Sequence, residues 1–355
     1  MPSDTIRNQR MRASFRTSAC TAGLCVGTQI FLAGCAVGMP LALSSAWLAS
    51  LAVVPLAGWF VRRSRCALHH AAHAGTISRA GYILLFAALL GSAVFALASL
   101  SVFAAQTLAQ EAQAWWTGSM ALLAAALCAP PGKPGAARLC FALRWILPAL
   151  VLALSVSALP LRVPVGLFPL LGAGAVPLGA AAIAMLFGAA PALMLALRPV
   201  ELTIYEPEEI AIPDTRFFLM RVLPGAAAGM LLLFLTSACT TYESIAESGE
   251  WGARLRMAAG NQPHEGIVQM LLILAKLMAM LLLCANMLSS AQQALSLAFP
   301  RLHSALAIWA ICTALLATCL LGTIVLGDMP LLFGAPLIAM PAILAALLLG
   351  RRPRA

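Results

Sequence analysis

Charge is what this sequence has least of. Asp, Glu, Lys and Arg make up 10% of its 355 residues, against about 25% in ordinary soluble domains. Acidic residues are the scarcer kind, 12 against 22 basic ones. Catalytic patterns are missing as well. There is no HExxH, no GxxxxGK[ST] phosphate loop and no CxxC, so metal-assisted hydrolysis, nucleotide phosphate binding and thiol redox chemistry have no motif to rest on. No enzyme class is indicated and no cofactor is implied. The cysteines form no spaced framework: Cys20, Cys25, Cys35, Cys128, Cys140, Cys239, Cys284, Cys312 and Cys319 fall inside apolar runs, and only Cys66 lies in an evident loop. They read as small hydrophobes.

What is present is apolar bulk, 62% of the chain. A soluble core cannot hide that much apolar surface, whereas a bilayer is itself an apolar solvent. A span needs about 20 mostly apolar residues, and ten segments qualify: 17–38, 42–61, 81–108, 115–130, 140–159, 175–197, 217–240, 266–291, 303–327 and 331–350. Pro40 turns the chain between the first two, since it lacks an N–H and clashes with the preceding turn. With the N-terminus inside, only Arg162, Arg254 and Arg256 fall outside, and Lys276 lies within a span. Every other Arg, and Lys133, falls on the cytoplasmic side, as the positive-inside rule requires. The net charge of +10 therefore reads as topology, not as a nucleic-acid surface. Trp59, Trp115, Trp116 and Trp145 suit the interfaces.

The expected organisation is a basic cytoplasmic N-terminus over 1–16, one transmembrane domain over 17–350, and a basic cytoplasmic tail over 351–355. Two charged loops, 198–216 inside and 241–265 outside, read as solvated connections. Ten spans divide into five and five, and five is odd. The halves, about 17–159 and about 175–350, would therefore be inverted relative to each other, as in many secondary transporters.

A few residues interrupt the apolar pattern. Gly27, Thr28 and Gln29 sit near the middle of the first span. Gly weakens a helix by about 1 kcal/mol relative to Ala, which favours local unwinding. Freed N–H and C=O groups then bind the carboxylate or ammonium of a small ligand. The same residues equally suit a small-residue packing patch between helices. In the sixth span Phe187, Gly188 and Ala189 precede Pro191, which removes a backbone donor, so a second break is expected there. Breaks at equivalent repeat positions point to a ligand site at the midplane. Lys276 lies deep in the eighth span. A buried ammonium costs several kcal/mol unless it is solvated, paired or deprotonated. It is either a proton-titrating group, a fixed cation standing in for a coupling ion, or a Lys that snorkels to the interface. The polar run Asn286 to Gln293 suits hydrogen bonds between helices. His69 and His73 are spaced i, i+4, but Arg residues surround them and no carboxylate completes a set, so no metal site is expected. Leu32-Ala33-Gly34-Cys35 mimics a lipoprotein cleavage site, yet membrane sequence continues without a polar spacer through Phe60.

The order of landmarks resembles the GerAB-type permease subunits of spore germinant receptors, a branch of the amino acid-polyamine-organocation superfamily. The residues that carry it are Gly27-Thr28-Gln29-Ile30-Phe31, then Pro40 and Ala46-Trp47-Leu48. Leu167-Phe168-Pro169-Leu170-Leu171-Gly172-Ala173-Gly174 follows, and finally Pro336-Leu337-Ile338-Ala339-Met340-Pro341 running into Arg351-Arg352. The resemblance implies an all-α, LeuT-like five-plus-five inverted repeat with broken helices 1 and 6. It implies a small ligand, an amino acid, between them, with Gly27, Thr28, Gln29, Phe187, Gly188 and Ala189 around it. It further implies a second membrane subunit and a lipoprotein as partners, in the cell membrane or the spore inner membrane. Two departures stand out: Gln29 replaces the second Gly of the first-helix motif, and Gly188-Ala189-Ala190-Pro191 stands where relatives often carry an acidic residue. A proton-coupled amino-acid transporter using Lys276 and a non-transporting scaffold are the alternatives.

Overall fold

The computed structural model describes residues 16–30, 48, 50–70, 76–107, 114–131, 135–145, 149, 175–195, 215–238, 265–299, 301, 302, 304–326 and 331–349. Among them are ten α-helices and no strand. They are α1 (16–30), α2 (Val53–His70), α3 (Thr76–Thr107), α4 (Ala114–Cys128), α5 (Gly135–Ala142), α6 (Ala175–Leu195), α7 (Thr215–Ala238), α8 (Glu265–Ala298), α9 (Ala305–Leu326) and α10 (Leu331–Leu349). Each overlaps one of the ten expected spans, α5 only over residues 140–142. Residues 198–214 and 241–264 of the two charged loops, the segment 31–47 and the motif 167–174 lie outside the described residues.

Helix α9 shows the physical logic of the whole. Its inward stripe is Ile308, Cys312, Leu316 and Leu320, all buried. Its other faces carry Leu306, Ile311, Leu315 and Leu321, all exposed. A helix apolar on every side needs an apolar solvent on the side the protein leaves open. Segments Arg79–Ala98 of α3 and Leu277–Ala298 of α8 are long and apolar enough to cross a membrane on composition alone.

The helices form two interlocked groups. In one, α3, α4, α8 and α9 all pack against one another. In the other, α2 packs on α6 and α7, and α1 crosses α7. Helix α10 lies against α2, α3 and α6, while α5 lies against α4 and α8.

Many of these contacts follow the expected repeat. Exchange each helix with the one five places on, and they recur, although α2–α10 and α4–α5 have no counterpart of like extent. The α3–α8 and α2–α7 contacts map onto themselves, α3–α4 maps onto α8–α9, α3–α9 onto α4–α8, and α3–α10 onto α5–α8. The α2–α6 contact maps onto the α1–α7 crossing. The chain is an all-α polytopic membrane protein built as a five-plus-five repeat.

Two expectations need correction. The second helix does not stop at residue 61 but continues through Arg62, Arg63 and Arg65 to His70. The expected end followed apolarity. Helix propensity set the real one, because Arg and Leu are good helix formers and no Gly or Pro intervenes between Gly58 and Gly75. The helix interruptions are not at the residues expected to hold them. The helical backbone runs on through Gly27-Thr28-Gln29 to Ile30, and through Phe187-Gly188-Ala189 to Leu195, although Pro191 lacks the N–H that would pair with the Phe187 carbonyl. In α1 the reason is packing, described next.

Candidate functional site

Helix α1 carries Gly23 and Gly27, and α7 carries Gly225 and Gly229. The two pairs face each other with backbone against backbone. A Cβ on Gly23 would lie 2.7 Å from the Arg221 carbonyl oxygen, and one on Gly229 would lie 2.8 Å from Gly27 Cα. A Cβ on Gly27 would collide with the Gly225 carbonyl, and one on Gly225 with the Gly23 carbonyl. Such small-xxx-small pairs let helices approach closely in lipid, where packing and not water drives association. The approach holds α1 straight through the turn expected to unwind. The contact advances together along both helices, so α1 and α7 run parallel.

On α1, Gln29 reaches α3. Its Nε2 donates to Ser92 Oγ at 2.7 Å, and both residues are buried. Beside Ser92, Cys284 Sγ of α8 lies 3.8 Å from the Ala93 carbonyl oxygen, to which it donates weakly. Helices α1, α3 and α8 thus meet at one level around a neutral polar pair. Thr28 turns back on its own helix, its Oγ1 donating to the Leu24 carbonyl at 2.9 Å. Gln29 is therefore the expected site residue whose side chain bridges to another helix.

A second polar node lies one helix turn or two toward the α1 N-terminus. The Cys140 thiol of α5 lies beside the polar side chains of Thr21 of α1 and Asn286 of α8. Asn286 also donates from Nδ2 to the Leu282 carbonyl at 2.7 Å. Cys140 packs among Leu24, Met278 and Leu282. Among the described residues, no three His, Cys, Asp or Glu side chains converge as a metal site.

On α6, Ala189 is buried, as are Met185, Ala190 and Leu193. The backbone of Phe187 and Gly188 is helical, and their side chains lie outside the described residues. Helix α6 packs against α3 and α8. Lys276 sits within α8, and its side chain also lies outside the described residues. Ten residues separate it from Asn286, about 15 Å along a helix. Lys276 is thus at a different depth from the second node.

Sequence reasoning passed over Ser92. Its signal was there: Gly91-Ser92 is a small polar step within the apolar run 81–100. It also passed over Gly225-Ala226-Ala227-Ala228-Gly229, a small-xxx-small motif matching that of α1 in spacing.

No protein-family model and no curated protein sequence matches the chain. Solved structures do. Mhp1, a nucleobase-cation-symport-1 family transporter in a closed conformation with bromovinylhydantoin bound, aligns with a TM-score of 0.59 at 15% identity, over 95% of this chain and 77% of that one. A manganese transporter of Eremococcus coleocola aligns with a TM-score of 0.57 at 16% identity, over 95% and 77%. Inward-facing Mhp1 aligns with a TM-score of 0.55 at 16% identity, over 95% and 75%. At these identities the likeness is one of fold, and the chain has the LeuT-like fold of these transporters.

Proposed function

We propose that the chain is a permease-type membrane subunit that binds a small molecule where α1, α3, α6 and α8 meet. The observation that carries this is the buried Gln29–Ser92 pair at the crossing of α1 and α3, in a fold shared with solved small-solute transporters. The neighbours' names give a nucleobase-cation symporter and a manganese transporter. Fold alone therefore selects no ligand class, and the ligand here is argued from the residues.

The resemblance to GerAB-type subunits supports an amino acid as ligand and a germinant receptor as the setting. A second membrane subunit and a lipoprotein are the partners in that setting, and both termini face the cytoplasm. Gln29, with Gly27 and Thr28 behind it and Phe187, Gly188 and Ala189 opposite, is the proposed binding surface. The test is ligand-induced thermal stabilisation of the purified chain in lipid nanodiscs against the twenty common amino acids. A rise in the midpoint with one or a few of them is expected. A flat response across the set, from folded protein, would refute an amino-acid ligand.

Transport coupled to protons is a second reading, motivated by Lys276 within α8. Under it, proteoliposomes show substrate-dependent proton flux, and Lys276→Met removes the pH dependence of uptake. A mutant with the wild-type pH profile rules out that role.

A further inference from the structure

Resting on the binding site just proposed, we infer that Gln29 and Ser92 are the residues that select the ligand, and that the group they select is uncharged: a carboxamide, a lactam or a hydroxyl. The two side chains come from different helices and meet at 2.7 Å, with Gln29 3% and Ser92 2% exposed. Their mutual bond uses one N–H of the carboxamide and one lone pair of the hydroxyl. The carboxamide keeps a second N–H and its carbonyl oxygen, and the hydroxyl keeps its proton. A donor and acceptors thus remain within one small area, which is the complement of an amide edge.

Charge argues the same way. The buried polar side chains among the described residues are hydroxyls and carboxamides throughout, with no ionised group. A carboxylate or ammonium seated on this pair would leave water and find no opposite charge among the described side chains. A neutral amide would exchange hydrogen bonds with water for hydrogen bonds with Gln29 and Ser92 at little electrostatic cost. If the ligand is an amino acid, its charged ends lie away from the pair and its side chain is the part read here. The small neighbours Ala93 and Ala96, both buried, add no competing polar group on α3.

The experiment uses the full chain in nanodiscs and matched probes that differ only in charge: glutamine against glutamate, asparagine against aspartate, and nicotinamide against nicotinate. The neutral member of at least one pair should raise the unfolding midpoint, with its acid inactive at a hundredfold higher concentration. Ser92→Ala should weaken the apparent affinity about tenfold, the effect of one hydrogen bond, and Ser92→Thr, which keeps the hydroxyl, should restore most of it. Gln29→Glu should abolish the preference for the neutral member. Equal response to amide and acid overturns the inference and leaves a ligand-binding permease standing. So does a Ser92→Ala chain that loses stability but keeps its affinity, since the bond is then only a tie between helices. A folded chain that answers to no probe overturns the inference, whereas the broader amino-acid set decides the binding function separately.

Discussion

Glycine at positions 23, 27, 225 and 229 does the work that side chains do elsewhere in the core. With no Cβ on either helix, backbone meets backbone. Gly27→Leu or Gly225→Leu forces α1 and α7 apart. Overpacking of this kind costs about 1–3 kcal/mol and more where backbone is the obstacle. Either variant should lower the unfolding midpoint in detergent and broaden the size-exclusion profile, whether or not a ligand is present. Gly58 and Gly179 supply the contrast, because nothing lies within 4 Å of a Cβ added at either. Both sit in helices, so Gly58→Ala and Gly179→Ala should be neutral or stabilise by up to about 1 kcal/mol. Wild-type stability in Gly27→Leu would show that the close crossing does not exist. This is also where the sequence was legible but ambiguous. Gly27 read equally as an unwound turn or as a packing patch, and only the partner motif in α7 separates the two. Gln29 was legible as an interruption in an apolar run, but its partner Ser92 was not, because a hydrogen bond between helices leaves no periodic trace in either.

The ends of elements show the same economy. Helix α4 stops at Cys128, and its last carbonyls need partners that a following turn does not fully supply. Gln292 of α8 donates from Nε2 to the Ala129 carbonyl at 3.3 Å, and Trp309 of α9 brings its indole Nε1 to the Ala126 carbonyl at 3.4 Å. Two side chains from two other helices thus finish α4 and tie α4, α8 and α9 together at one end. Gln292→Leu removes one tie while keeping similar bulk, and should cost about 1 kcal/mol. Thermal unfolding checks this, with faster amide exchange at Cys128 and Ala129 as a local sign. An unchanged midpoint together with unchanged exchange would make the bond incidental. Element positions were largely legible from apolarity, since every helix overlaps an expected span, α5 only over residues 140–142. Boundaries were less so: α2 outran its apolar segment by a stretch of Arg because propensity, not hydropathy, ends a helix.

At the scale of the molecule, contacts between helix ends fix which ends share a face. Gly81 near the start of α3 lies against Leu349 at the end of α10. The end of α4 meets the end of α8 and the start of α9. Helix α5, through Cys140, meets the early part of α1 and the late part of α8. Parallel packing then brings the start of α7 alongside the start of α1. One face of the bundle thus gathers Arg16, Arg79, Arg138, Arg216 and Arg301, all exposed. The opposite face holds the end of α3 and the start of α4, where Thr117 Oγ1 donates to the Ser101 carbonyl at 2.9 Å. The charge bias and the packing are independent observations, one from composition and one from contacts, and an odd error in span count would set them at odds. The prediction is a labelling pattern. In a cysteine-free background, single cysteines at positions 79, 138 and 301 should react with a membrane-impermeant maleimide only when the cytoplasmic side is open. A cysteine at position 116, where Trp116 is exposed near the start of α4, should react from the other side. Agreement among the three basic positions tests the packing alone. Their side of the membrane tests the positive-inside assignment, so a common reaction from outside would invert the protein without disturbing its fold.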